Sequence, residues 1–198
     1  MAKLSKRAPS IFTVGHSTRP IEEFVTLLQT NGVKQLIDIR TIPKSRRNPQ
    51  FSSEALAASL AEAGIAYVHM KALGGLRHPR KDSVNLGWRN ESFRGYADYM
   101  QTPEFNTALE AAIRLAAQKP TALMCAEVVP WRCHRSLVSD ALAARGIEVL
   151  EIIGKGQPEK HRLTPFARVE GTHITYPKAG EGEQLPLLKE SVAAKQHR

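Results

Sequence analysis

The segment TALMCAEVVPWRCHRSLVSDAL, Thr121 to Leu142, gathers both cysteines of the chain, Cys125 and Cys133, with Glu127, Arg132, His134 and Arg135. Thiols, a carboxylate, an imidazole and two guanidinium groups in one short stretch admit three chemistries. A cysteine beside arginines and a helix N-terminus loses its proton readily and becomes a nucleophile or redox centre. Glu127 and Asp38 with His16 or His134 would serve acid–base catalysis. Cys125, Cys133, His16 and His69 offer thiolate and imidazole ligands to zinc or iron.

Each of these groups also has a plainer use. Cysteine is among the most buried residue types, a histidine can simply tie down a loop, and Asp38 with Arg40 can be a structural ion pair. The spacing excludes the phosphatase loop, in which an arginine follows the cysteine by six positions: that position is Trp131, Arg132 comes one residue late, and Glu127 and Pro130 stand where glycines would be needed. Metal binding is weakened by the lack of a Cys-x-x-Cys pair and by the consecutive Cys133-His134-Arg135, whose side chains diverge at a helix start. The residues name no cofactor.

These groups need elements to position them, and the chain supplies five short apolar runs: IFTVGH (11–16), QLIDIR (35–40), AYVHM (66–70), TALMCAE (121–127) and EVLEII (148–153). Most are separated by helical patterns. Ile21, Phe24, Val25 and Leu28 share one helix face; Leu56, Ala57 and Leu60 share another after a cap at Ser52 or Ser53. Phe105, Leu109, Ile113 and Ala116 align after Pro103, and Leu137, Val138, Ala141 and Leu142 before Gly146. Alternating strands and helices imply a three-layer α/β fold: a mainly parallel, five-stranded Rossmann-like sheet with helices on both faces and a short C-terminal appendage. The expected division is a basic arm over 1–10, the α/β domain over 11–153, an appendage over 154–177 with a hairpin at ARVEGTHITY, and a flexible tail over 178–198. Ligands in such folds bind beyond the carboxyl ends of the strands, which places His16, Arg40, His69, Cys125 and Glu127 on one rim.

Two stretches break the alternation, IPKSRRNPQF (42–51) and the long Gly-rich insertion 71–96. They carry cations and aromatics together, a composition suited to phosphate contact and base stacking. Ser17, Arg40, Arg46, Arg47, Arg77, Arg132 and Arg135 are the candidate anion contacts, and Trp88, Trp131 and Tyr96 the candidate stacking platforms. The whole chain has 28 Lys and Arg against 19 Asp and Glu, a net charge of +9, which favours an anionic small molecule or nucleic acid as partner. No helix-turn-helix, zinc-finger or RNA-recognition pattern is present. No run approaches the roughly 18 apolar residues of a membrane span, so the chain reads as a soluble protein of the cytoplasm, where its thiols stay reduced.

TVGHS, DIR followed by a proline and a basic loop, Leu-Gly-Gly after the third strand, MCAE-x-x-P-x-x-CHR and LTPFARVEG-x-x-ITYP together resemble the DUF488 family, over about Ile11 to Ile153 and into the tail. The resemblance implies an α/β domain with a shared pocket and supplies no reaction. Its recurrent positions fall on Gly15, His16, Ser17, Asp38, Arg40, Pro43, Gly74, Gly75, Cys125, Glu127, Pro130, Cys133, His134 and Arg135. Three functions stay open: an enzyme acting on a phosphate-bearing or nucleotide-related anion, a non-catalytic nucleic-acid-binding domain, and a metal-binding or thiol redox protein.

Overall fold

Each apolar run becomes a strand, trimmed to the residues that a neighbour can pair. The computed structural model describes residues 10–44 and 46–178; the expected N-terminal arm and C-terminal tail lie outside the described residues, apart from Ser10 and Lys178. The strands are β1 (Ile11–Gly15), β2 (Gln35–Asp38), β3 (Ala66–His69), β4 (Thr121–Cys125) and β5 (Val149–Ile152), all mutually parallel in the order β3-β2-β4-β1-β5. The sheet has a sixth strand that the apolar pattern does not announce. The two-residue β6 (Glu159–Lys160) runs antiparallel on the edge of β5, with both residues exposed. The expected hairpin is present as β7 (Arg168–Glu170) and β8 (His173–Thr175).

The helices α1 (Ile21–Thr30) and α2 (Ser53–Glu62) cover one face of the sheet. Ser52 caps α2, its hydroxyl accepting from the Ala55 N–H at 3.4 Å. The other face carries α3 (Glu91–Tyr99), α4 (Pro103–Ala116) and α5 (Arg135–Ala143). The period of two along β4 sorts the core: Ala122 and Met124 pack with Phe24, Leu28, Leu56 and Leu60, whereas Leu123 and Cys125 pack with Leu109, Leu137 and Val138. Cys125 therefore points to the α5 side of the sheet, toward the helix that Cys133 precedes.

Helix α3 begins inside the 71–96 insertion expected to be irregular and runs three residues past it. Asn90 caps it, accepting from the N–H groups of Ser92 and Phe93, and Gly95 in mid-pattern hides it from a reading based on propensity. Its buried Asp98 accepts from Arg80 N–H, Ser83 Oγ and Asn85 Nδ2 at 2.8, 2.6 and 2.7 Å, so one carboxylate organises the rest of the insertion.

Every residue from Arg135 to Leu142 is buried, because the C-terminal segment covers the outer side of α5. Asp140, fully enclosed, accepts from Tyr176 Oη, His161 Nε2 and Thr164 N–H, and His161 Nδ1 meets Glu151 at 2.8 Å. Burial opposes charging His161, but hydrogen bonds to Asp140 and Glu151 prevail and raise its pKa from 6.5 to about 9. A pKa raised by folding contributes stability that is complete below about 6.5 and disappears as pH rises through about 9. Urea denaturation should accordingly show stability falling across that window. Asp140→Asn should remove most of that slope and lower stability by about 3 kcal/mol, the order expected when a buried charge loses its partner.

Candidate functional site

At the carboxyl edge of the sheet β1 and β4 continue pairing past their ends: His16 N–H donates to Cys125 O at 3.1 Å and Ser17 N–H to Ala126 O at 2.8 Å. This draws the 126–128 backbone against Gly15, where a Cβ would coincide with the Glu127 carbonyl. Gly15→Ala must push the loop away from the sheet. The expected outcome is loss of ordered placement of Glu127 with the core retained, read as faster amide exchange confined to residues 125–129.

The residues expected on one rim separate into two clusters, because the strands deliver them to opposite faces of the sheet. On the α1–α2 side Asp38, wholly buried, holds Arg40 in a bidentate pair (Nε–Oδ1 2.9 Å, Nη2–Oδ2 2.6 Å). Arg40 Nη2 also donates to Phe51 O, and Nη1 donates to His16 Nε2 at 3.1 Å. Guanidinium is a donor only, so His16 Nε2 is the acceptor and Nδ1 carries the proton, donated to Ser17 O at 2.8 Å. The ring stacks on Phe51 at 4.2 Å. Burial first, opposed by the bond to Ser17, lowers the His16 pKa to about 4. With both nitrogens engaged, His16 is a neutral bracket for Arg40. Four of the five guanidinium N–H groups of Arg40 are thus used, leaving one on Nη1. Tyr67 Oη donates to Asp38 Oδ2 at 2.8 Å, and burial together with that carboxylate pushes the phenol up.

On the α3–α5 side lie the sulfurs. The Cys133 thiol donates to Cys125 Sγ at 2.8 Å, and the Arg135 backbone N–H at the start of α5 reaches Cys133 Sγ at 3.4 Å. His134 Nε2 donates to Ile39 O at 3.1 Å, which leaves its Nδ1 unprotonated, 3.6 Å from Cys133 Sγ. A Cβ at Gly75 would meet this ring at 2.9 Å, so glycine is what lets the His134 imidazole pass under the 74–76 loop. Burial first, opposed by the bond to Ile39, lowers the His134 pKa to about 4.

Beside the sulfurs is Arg135, 1% exposed. Its Nη2 donates to Val128 O at 2.8 Å, and its Nε and Nη1 are buried with no partner among the described residues. A guanidinium enclosed without a carboxylate needs a counter-charge. Burial opposes ionising Cys125, but the S–H donated by Cys133 and the charge of Arg135 outweigh it and hold this thiol below the ordinary value. The same hydrogen bond, seen from its donor, and burial push Cys133 well up. The result is one thiolate-forming sulfur, Cys125, and one proton-holding sulfur, Cys133.

Three clefts meet above these groups. One of about 330 Å³ is lined by Cys125, Cys133, His134, Arg40, Glu127 and Arg132, with the exposed Ile42 and Leu76 at its mouth. A second, about 300 Å³, opens on the other side of Arg40 and takes in His16, Ser17, Lys44 and Glu127. A third, about 460 Å³, runs outward along Trp88, Phe93, Trp131 and Arg132. Glu127 belongs to all three. Leu76 holds a φ of 61° and Ser17 one of 49°, the two left-handed non-glycine residues among those described, one at the lip of each of the first two clefts.

The other expected contacts divide plainly. Arg46, Arg47 and Arg132 are exposed, and Trp131, 65% exposed, stands over the third cleft. Trp88 is half-buried against Phe93, Phe166 and Tyr176. Tyr96 is core instead of platform: its ring is 1% exposed and its hydroxyl donates to Leu73 O at 2.7 Å. Arg77 lies flat over the Tyr99 ring, 3.6 Å from its centroid, and donates to Gly74 O, turned to the α3 side. His69 projects from the edge strand β3 with Nε2 on Arg40 O, away from both sulfurs. Among the described residues no group of three or more His, Cys, Asp or Glu side chains is placed to hold a metal ion.

A family model described as a domain of unknown function, DUF488, matches residues 20–142, well over half of the 198-residue chain. The protein belongs to the DUF488 family. No curated protein and no solved structure matches the chain. The DUF488 match spans Asp38, Arg40 and the whole sulfur cluster through Arg135; it begins after Gly15 and His16 and ends before β5 and His161. No helix among the described residues is long and apolar enough to cross a membrane.

Proposed function

We propose that this protein is an enzyme that acts on an anionic, phosphate-bearing or nucleotide-related substrate, with Cys125 as the nucleophile. The observation that carries this reading is Arg135, a wholly buried cation with two nitrogens unpartnered and no carboxylate paired to it among the described residues, beside two sulfurs that line an open cleft. A structural arginine would have been given an acid; this one makes a thiolate the least costly anion in its surroundings. Arg132 and the remaining N–H of Arg40 face the same cleft and would hold the substrate's charge. Glu127, exposed at the cleft mouth, would exchange a proton with the leaving group. His16 and Asp38 act through Arg40 as positioning residues; Lys44 adds positive charge to the second cleft, and the exposed Arg46 and Arg47 follow it in the chain.

Paired alkylating agents test this reading. Iodoacetate is an anion and iodoacetamide its neutral counterpart. Relative to the same pair acting on free cysteine, iodoacetate should be favoured at Cys125 by about tenfold at low salt, the size of one charge-assisted contact. Arg132→Ala should erase most of that preference. Equal treatment of the two reagents by the native protein would remove the anionic-substrate reading.

A second reading, nucleic-acid binding without catalysis, is favoured by one observation: Trp131 is largely exposed over a cleft that also holds Phe93, Trp88 and Arg132. It expects tight, salt-dependent binding of a single-stranded oligonucleotide that Trp131→Ala weakens, by about 1–3 kcal/mol per stacked base, and that Cys125→Ser leaves alone.

A further inference from the structure

The sulfur that is not the nucleophile has no use in the chemistry above. Cys133 is kept protonated, in contact with Cys125, on the wall of the same cleft, and His134 offers an unprotonated nitrogen on its other side. The chain has no third cysteine. An ester or alkyl group carried on Cys125 would gain nothing from a neighbouring thiol. A group bound to it through sulfur would, because a thiol in contact can displace it.

From this arrangement we propose that Cys133 is a resolving thiol and that the substrate is an anionic organic disulfide, reduced by two electrons as Cys125 and Cys133 join. The inference rests on the reading of Cys125 as nucleophile. In the first step Cys125 thiolate attacks one sulfur of the substrate R–S–S–R′; a Cys125–S–S–R bond forms, the substrate S–S bond breaks and R′S⁻ leaves. In the second step the Cys133 sulfur attacks Cys125 Sγ while its proton passes to the departing sulfur. The Cys125–Cys133 bond forms and RSH leaves. The protein dithiol has lost two electrons and the substrate has gained them; a second, external dithiol resets the protein by the reverse exchange.

Three features of the structure fit this sequence of steps. The sulfurs already touch, so the second step needs no chain movement. The His134 tautomer is fixed by its bond to Ile39 O, so the nitrogen facing Cys133 is an acceptor that can hold its S–H in place once Cys125 carries the substrate sulfur. The α5 N-terminus, through the Arg135 N–H, stabilises the Cys133 thiolate that must leave when the disulfide is reopened. The cationic, apolar-lipped cleft suits a disulfide whose substituents carry carboxylate or phosphate.

The probe is the dianionic aromatic disulfide 5,5′-dithiobis(2-nitrobenzoate), used on the native full chain with mass spectrometry of the products. The wild type should release two equivalents of thionitrobenzoate and finish without an adduct, lighter by two hydrogens and restored by dithiothreitol. Cys133→Ser should release one equivalent, retain the mixed disulfide on Cys125, and show the second release slowed by at least about a hundredfold. A wild-type protein that stops at a stable adduct on Cys125 overturns the resolving role and leaves the nucleophile standing. A native protein whose cysteines do not react overturns both. A neutral dipyridyl disulfide separates the remaining pair: if it closes the Cys125–Cys133 bond as fast as the dianion does, the anionic substrate class falls, together with the anion reading of the cleft.

Discussion

Cys125→Ser is expected to abolish the fast alkylation of the native protein, lowering the rate at neutral pH by about a hundredfold or more, while Cys133→Ser leaves it largely in place. The asymmetry follows from which sulfur donates. Cys133 gives its S–H to Cys125 and is thereby held well above the ordinary thiol range, so it contributes almost no thiolate at neutral pH. Cys125 accepts that hydrogen bond and lies in the field of Arg135, which hold its thiol below the ordinary value despite burial. Serine at 133 retains an O–H donor, so the thiolate at 125 keeps its partner; Cys133→Ala removes the donor and should move the alkylation midpoint of Cys125 upward. Rates measured against pH, with the modified peptide identified for each variant, check all three. A fast phase that survives Cys125→Ser would transfer the nucleophile's role to Cys133 and reverse the assignment.

That Cys125 faces α5 was legible in the sequence, in the alternation of β4 itself: once Leu123 is core on one face, Cys125 must follow it there, and the Cys-His-Arg that opens the next helix is the nearest partner in the chain. The five parallel strands and four of the five helices follow from apolar period and capping residues in the same way. The separation of the rim into two clusters was not legible. Whether His16 and Arg40 share a side of the sheet with Cys125 depends on the parity of β1 and β2 against β4, fixed by a register that joins residues more than eighty positions apart, such as Gln35 and Thr121. Helix α3 was hidden by Gly95 and by its polar composition, with Asp98 among the residues that it buries. The Asp140–His161–Glu151 and Asp98–Asn85 networks were missed because buried polar partners leave no periodic signal. Asp140 did carry a faint one: an acid in the C-terminal half of a helix opposes the macrodipole, which in a helix otherwise buried all round points to a cationic partner. Tyr96 and Arg77 were assigned by composition, and composition does not say which side of α3 an aromatic or a cation faces.

Arg135→Met should raise the midpoint of Cys125 alkylation toward or beyond that of a free thiol and slow the reaction at neutral pH by about tenfold for each unit gained. Most sites that lose a buried cation also lose stability, because a carboxylate is left behind. Among the described residues no carboxylate pairs with Arg135: the change leaves one unsatisfied acceptor, Val128 O, and two sulfurs that are comfortable as neutral thiols. The unpaired acceptor costs about 1–3 kcal/mol, and removing an enclosed, unpaired charge returns an energy of similar size. Folding stability should therefore stay within about 2 kcal/mol of the wild type while reactivity collapses. Arg132→Ala is the control, an exposed cation whose loss should alter salt dependence and leave the alkylation midpoint where it was. If Arg135→Met unfolds the protein, or folds and leaves the midpoint unmoved, then Arg135 is a strut for the 126–132 loop and the thiolate has another origin. If reactivity falls and stability holds, the charge is kept in the core at a cost to folding, and the anion it stabilises is Cys125.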